Sequence, residues 1–255
     1  SANGRLFLND RDYIQNTPEY HSGLVVVKEG KQSKKPPLVK LDWVADMEGT
    51  STSRSIVPDY NGLDWERTII SPEGKFYIIY DDLKIRESGK FLFKNHWQSL
   101  GTAKIEDQSF KLEQKGVNML LQNLAPAELR TKDIYGHFIK YWKSVYPYPY
   151  ADKETVLTEV INEKEYIKGE QAGFINVLSS HESEIDAIQT NVISPGIIEI
   201  KQGNSKWVAI KGFFDNAGYS SNGIFHLFGD KDIVSTAVTQ LKIGSKELLF
   251  KQPVL

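Results

Sequence analysis

The feature that most constrains this chain is its rhythm. From Arg5 to Lys251, short runs of β-branched and aromatic residues recur roughly every ten residues, separated by Gly, Asn, Asp and Pro. Few segments have the length and 3.6-residue spacing of a helix. The runs Arg5–Asn9, Gly23–Glu29, Leu38–Asp46, Ser53–Pro58, Asp64–Ser71, Lys75–Asp81, Leu83–Glu87, Lys90–Gln98, Ser109–Glu113 and Gly116–Asn123 read as strands, and the pattern continues from Ala127 to Lys251. Turn chemistry at Ser71-Pro72-Glu73-Gly74, Glu87-Ser88-Gly89-Lys90 and Gln202-Gly203-Asn204-Ser205 predicts antiparallel hairpins. Alternation is imperfect in Lys75-Phe76-Tyr77-Ile78-Ile79-Tyr80, which suggests a strand covered on both faces. The expected fold class is therefore all-β: a large antiparallel β-sandwich of stacked sheets, supersandwich-like, with few or no helices.

One stretch breaks the rhythm. Ile134–Tyr150 is crowded with aromatics and ends in Tyr146-Pro147-Tyr148-Pro149-Tyr150, where alternating prolines stop regular pairing. It is expected to be a crossover or weak boundary within a single region spanning 1–255. Without an internal repeat or low-complexity tract, one unit is the default.

Composition narrows the partners. A net charge of −2 leaves no basic excess for a phosphate backbone, so nucleic acid is not expected. The longest apolar stretches, such as Leu24–Val27 and Phe76–Tyr80, are strand-sized, so no membrane span is expected. Cysteine is absent, which removes disulfides and thiolate metal sites. Ser1–Gly4 lacks a basic region followed by an apolar stretch, so any export signal is expected to have been removed or to lie further upstream, and the absence of glycosylation acceptors and cysteines suits a periplasmic or extracellular bacterial protein.

There is no Gly-x-Ser-x-Gly elbow, no phosphate-cradling loop and no His-Glu-x-x-His. None of the five histidines sits at metal-ligand spacing to another, so no metal site is assigned. A structural calcium or zinc stays open, with Asp81-Asp82 and Asp10-Arg11-Asp12 as acidic turns for calcium against a reading as solvated carboxylates.

His21 follows Tyr20 at the mouth of the apolar strand Leu24–Val27, where a side chain can be fixed by a sheet and still face a cleft. It could act as a general base or steady an acidic sugar; the competing reading is a strand anchor. In Asp59–Arg67, Arg67 could pair with a uronate carboxylate while Tyr60 or Trp65 stacks on a sugar face. Equally, Arg67 could be an inter-sheet ion-pair partner and Trp65 core filling. In His96-Trp97, alternation puts one residue in the core and the other outside.

Taken in order, Gly4–Asp10, Asp12-Tyr13-Ile14 and Tyr20–Val26 resemble a region of heparinase II/III-like polysaccharide lyases. Tyr60-x-Gly62-x-x-Trp65-x-Arg67 followed by Lys75–Asp82, then Phe93–Trp97, Phe174–Leu178 and Thr236–Phe250, continue the likeness. The resemblance implies the β-sandwich part of an enzyme that cuts uronate-containing chains by β-elimination in a cleft shared with an upstream α/α toroid. This chain has no helical toroid and lacks the His-x-His-x-Asp-like segment that the family carries before the strand matching Arg5–Asn9. The resemblance implies a catalytic role for His21, with Ser22 where the family has Asn. It further implies an acidic polysaccharide or oligosaccharide as partner, and little activity without the toroid. The rival expectation is a non-catalytic carbohydrate-binding or structural domain of a bacterial surface protein.

Overall fold

The computed structural model describes residues 3–10, 17–36, 38–47, 49–134, 150–151, 153–216, 219–229 and 233–254. Where the sequence suggests one region with a weak boundary near 134–150, internal contacts group the chain into two units, Ser1–Glu184 and Ile185–Leu255. Most of the expected crossover, 135–149, lies outside the described residues.

Strands of the first unit are β1 (Gly23–Lys28), β2 (Lys31–Gln32), β3 (Lys40–Met47), β4 (Thr50–Val57), β5 (Leu63–Pro72), β6 (Tyr77–Ile85) and β7 (Gly89–Leu100). They continue with β8 (Thr102–Glu106), β9 (Ser109–Gln114), β10 (Val117–Asn123), β11 (Glu128–Ile134), β12 (Glu154–Tyr166) and β13 (Gln171–His181). They form a five-stranded sheet, β11-β12-β7-β1-β2, and an eight-stranded sheet, β3-β4-β5-β6-β13-β10-β9-β8. All pairings are antiparallel, and among the described residues the only helical turns are 3-10 turns at Pro18–Tyr20 and Glu184–Asp186. The all-β sandwich is as expected.

Side chains of the two sheets interleave in two apolar clusters. One joins Leu24, Val26, Phe91 and Phe93 of the small sheet to Leu63, Leu83, Ile85 and Phe174 of the large one. The other joins Trp97 and Leu157 to Ile79, Phe110, Leu112, Met119 and Leu121. The imperfect alternation of β6 has its predicted cause, since Ile78, Ile79, Tyr80 and Asp81 are all buried.

Three local expectations are corrected. Arg5–Asn9 forms isolated bridges instead of a strand, Leu8 pairing with Ser99, because β1 starts opposite His96 and residues 7–9 fill the place beside the end of β7. Lys75–Asp81 and Leu83–Glu87 are one strand, β6, because Asp82 continues its ladder opposite Glu66 and Gly173. Glu87-Ser88-Gly89-Lys90 does not close a hairpin: β6 and β7 belong to different sheets, so the turn carries the chain from one layer to the other. Gln202-Gly203-Asn204-Ser205 does close one, with Gln202 opposite Ser205.

That second hairpin belongs to the second unit, whose strands are β14 (Gln189–Ser194), β15 (Ile197–Gln202), β16 (Ser205–Lys211), β17 (Phe214–Asn216), β18 (Tyr219–Ser221), β19 (Phe225–Phe228), β20 (Ile233–Thr236), β21 (Val238–Ile243) and β22 (Lys246–Val254). They form sheets β14-β15-β16-β19-β20 and β17-β18-β21-β22. Ile198, Ile200, Ala209 and Phe225 are buried in this unit.

Candidate functional site

The six nominated residues separate into two places in the first unit. Tyr20, His21 and His96 gather at one end of β1, whereas Tyr60, Trp65 and Arg67 are in or against the interior of the sandwich.

At the β1 end, the 3-10 turn Pro18–Tyr20 delivers His21, whose amide donates to the Pro18 carbonyl at 3.1 Å. His21 Nδ1 lies 2.8 Å from Asp10 Oδ2, and the Ser22 amide donates to Asp10 Oδ1 at 3.3 Å. Ser22 Oγ accepts the Gln98 amide at 2.9 Å, and Gln98 Nε2 donates to the Glu19 carbonyl at 2.9 Å, which stitches the turn to β7. A carboxylate accepting the Nδ1 proton selects the tautomer whose lone pair is on Nε2, the arrangement that suits a proton acceptor. The imidazole is 21% exposed, so solvent reaches it.

His96 stands opposite Gly23 on β1 and Thr158 on β12. Alternation along β7 sends Phe91, Phe93, Asn95 and Trp97 inward and His96 to the opposite face. Its Nδ1 meets Thr158 Oγ1 at 2.9 Å. Burial, with the Lys94 ammonium adding to it and Glu19 opposing, pushes its pKa down to about 4, so this imidazole is neutral at pH 7.

Inside, Tyr60 is 4% exposed; its hydroxyl donates to the Leu24 carbonyl at 2.9 Å and accepts from Ser33 Oγ at 3.0 Å. Such a ring packs a strand and presents no face for a sugar to stack on. Trp65 Nε1 donates to Asp81 Oδ1 at 2.7 Å. Arg67, directly opposite Asp81, grips it with two bonds, Nε to Oδ1 at 2.7 Å and a terminal nitrogen to Oδ2 at 3.0 Å. Its guanidinium carbon sits 5.1 and 5.3 Å from the rings of Trp65 and Trp97. The cation reaches across to the facing sheet through Asn95 Oδ1 at 3.1 Å. It is committed internally, in line with the ion-pair reading, although its carboxylate partner is on the neighbouring strand of its own sheet.

Asp81 is correspondingly no solvated turn residue. It lies within β6, its side chain fully buried, and Arg67 already supplies its counter-charge. Of the other acidic turn, Asp10 holds His21, and Asp12 lies outside the described residues. Among the described residues no group of three or more His, Asp or Glu is arranged to hold a metal ion.

Sequence reasoning missed the rest of the interior cluster. Glu159, fully buried and opposite Asn95, accepts from Asn95 Nδ2 at 2.8 Å, Trp97 Nε1 at 3.0 Å, Asn176 Nδ2 at 3.0 Å and Asn123 Nδ2. Burial raises its pKa above the ordinary carboxylate value and outweighs the lowering by these four donors. Arg67, Asp81, Asn95, Glu159, Asn123 and Asn176 thus form a polar layer between the two apolar clusters. The available signal was an inward strand position turning polar at one level, as in Phe93-x-Asn95-x-Trp97, Ile79-x-Asp81-x-Leu83 and Phe174-x-Asn176-x-Leu178.

No family model matches the chain, and no curated protein matches it. Solved structures do. The heparan sulfate lyase HepC from Pedobacter heparinus superposes with a TM-score of 0.56 at 13% identity, over 80% of this chain and 34% of its own. A structure of heparinase III gives a TM-score of 0.56 at 12% identity, over 97% of this chain and 34% of its own. At these identities the likeness is one of fold, and the resemblance expected from sequence holds at that level. The chain spans about a third of the length of these structures.

Proposed function

We propose that this chain is the β-sandwich part of a heparinase II/III-like polysaccharide lyase, exported to the bacterial periplasm or exterior, and that His21 is its contribution to the chemistry. The observation that carries this is the Asp10–His21 pair at the solvent-accessible end of β1. β-Elimination removes the proton beside a uronate carboxylate, forms a carbon–carbon double bond and expels the glycosidic oxygen. It needs a base for the proton, an acid for the oxygen and a counter-charge for the carboxylate. In this reading His21, its tautomer set by Asp10, moves a proton; Tyr20 and the neutral His96 flank the sugar. Tyr60, Trp65 and Arg67 hold the wall from behind. The counter-charge and remaining groups come from an upstream toroid, so the chain alone is inactive.

The test is to express the longer protein with its upstream domain and follow the ultraviolet absorbance of unsaturated uronate products on heparan-, chondroitin- and alginate-type substrates. His21→Ala is expected to cut turnover by about 10²–10⁴-fold with the thermal midpoint unchanged. Absence of product on every substrate, or parallel loss of activity and stability in the variant, would overturn the reading. The first outcome would favour a non-catalytic carbohydrate-binding domain.

A further inference from the structure

A second place in the first unit has the makings of a ligand site. The β3–β4 and β5–β6 hairpin tips are tied together by the Glu73 amide donating to the Gly49 carbonyl at 2.9 Å. Beside them opens a cleft of about 610 Å³ lined by Asp46, Thr50, Ser51, Ser71, Glu73 and Tyr77, with Met47, Gly49 and Gly74 completing it. That volume falls within the roughly 300–1,000 Å³ range of small-ligand pockets. Strand register builds its floor: Asp46 pairs with Ser51, and Ser51 with Ser71, so their side chains stand in one row across three strands. Ser51 Oγ donates to Asp46 Oδ1 at 2.6 Å, which leaves the serine oxygen oriented as an acceptor.

The other groups face the cleft unspent. The Ser71 hydroxyl, the Glu73 carboxylate and the Tyr77 hydroxyl have no side-chain partner among the described residues. Tyr77 is 43% exposed although it lies in the central strand of a sheet, where an aromatic ring is ordinarily covered. Gly49 and Gly74 have φ of +74° and +68°, and a side-chain carbon at either would meet nothing within 4 Å, so the mouth is open.

An exposed aromatic beside a row of hydroxyls and carboxylates matches the two surfaces of a sugar ring, an apolar C–H face and a rim of hydroxyl donors. The charge selects among sugars. Among the described residues two carboxylates line the cleft and no Lys or Arg does, which disfavours uronates and sulfated rings. We infer that this cleft binds a pyranose ring bearing no acid group, with Tyr77 as stacking platform and Asp46, Ser71 and Glu73 as hydroxyl or amine acceptors. The inference is independent of any catalysis at His21.

The test uses the 255-residue chain, isotopically labelled, titrated with tetramers of glucosamine, N-acetylglucosamine and galacturonate while amide shifts are followed. The Gly49 and Gly74 amides are expected to shift with the first two and stay still with galacturonate. Tyr77→Ala should weaken both binders about fivefold or more. Glu73→Gln, on an exposed turn and so independent of whether the tyrosine variant folds, should weaken the glucosamine tetramer by about threefold and spare the N-acetylated one. Motionless amides with all three tetramers, equal response to galacturonate, or unchanged affinity of Glu73→Gln for the glucosamine tetramer would overturn the proposal.

Discussion

His21 and Glu159 occupy opposite kinds of ground. His21 is partly solvated, held by Asp10 and a short turn; Glu159 is fully buried and held by four donors from three strands across both sheets. The first arrangement can be lost at small cost to folding, whereas the second is bound up with it. Reactive groups belong on the cheap ground, because a group whose bonds are all internal has nothing left for a substrate.

The sharpest way to break that contrast is Asp81→Ala. It strands the Arg67 cation in the interior and is expected to cost about 3–5 kcal/mol, read from urea denaturation; a loss under ~1 kcal/mol would mean that the layer behaves like surface. Glu159→Gln comes next. It turns a donor amide toward four N–H groups and should cost about 1–3 kcal/mol.

Acidity separates the two regions further. His96 has a folded pKa of about 4, below its unfolded 6.5, so between those values the unfolded chain binds the extra proton. Its contribution to stability is complete above pH 6.5 and is lost as pH falls toward 4; His96→Gln should flatten that decline. Glu159 runs the other way. Its folded pKa is raised above the ordinary 4.5, so its contribution is present below 4.5 and is lost as pH rises through the folded value. The destabilisation by Glu159→Gln should therefore be larger at pH 4.5 than at pH 7, and urea midpoints of both proteins across that range check it. The smallest effect is expected at the other pole, with His21→Ala changing stability by less than ~1 kcal/mol.

The layered strands were legible wherever one face is apolar and the other mixed. β10 alternates buried and half-buried from Val117 to Asn123, matching its sequence pattern. In β12, the polar run Asn162-Glu163-Lys164-Glu165 carries no strand pattern beyond Ile161. The ladder nevertheless resumes after a register shift, with Lys164 opposite Phe91, since backbone pairing needs no apolar side chain. Of the site, the neighbourhood of His21 could be read from its place at a strand mouth. Its partner Asp10 could not, because the ten intervening positions carry no periodicity that folds one onto the other. The interior cluster escaped for a different reason: in Leu157-Thr158-Glu159-Val160-Ile161 apolar residues fall on both faces, so alternation does not say which way Glu159 points.

The polar layer also has a consequence for how the chain finds its register. Its members span Arg67 to Asn176, so it cannot be completed until β5, β6, β7, β10, β12 and β13 have all come together. Slip β12 by one residue and the apolar pattern barely objects, because Val156 and Val160 replace Leu157 and Ile161 while Thr158 replaces Glu159 at the inward position. The indole and three amides would then meet one short hydroxyl in place of a carboxylate, most of them left without an acceptor. The layer acts as a proofreader for strand pairing, rejecting an alignment that hydrophobic burial alone would accept.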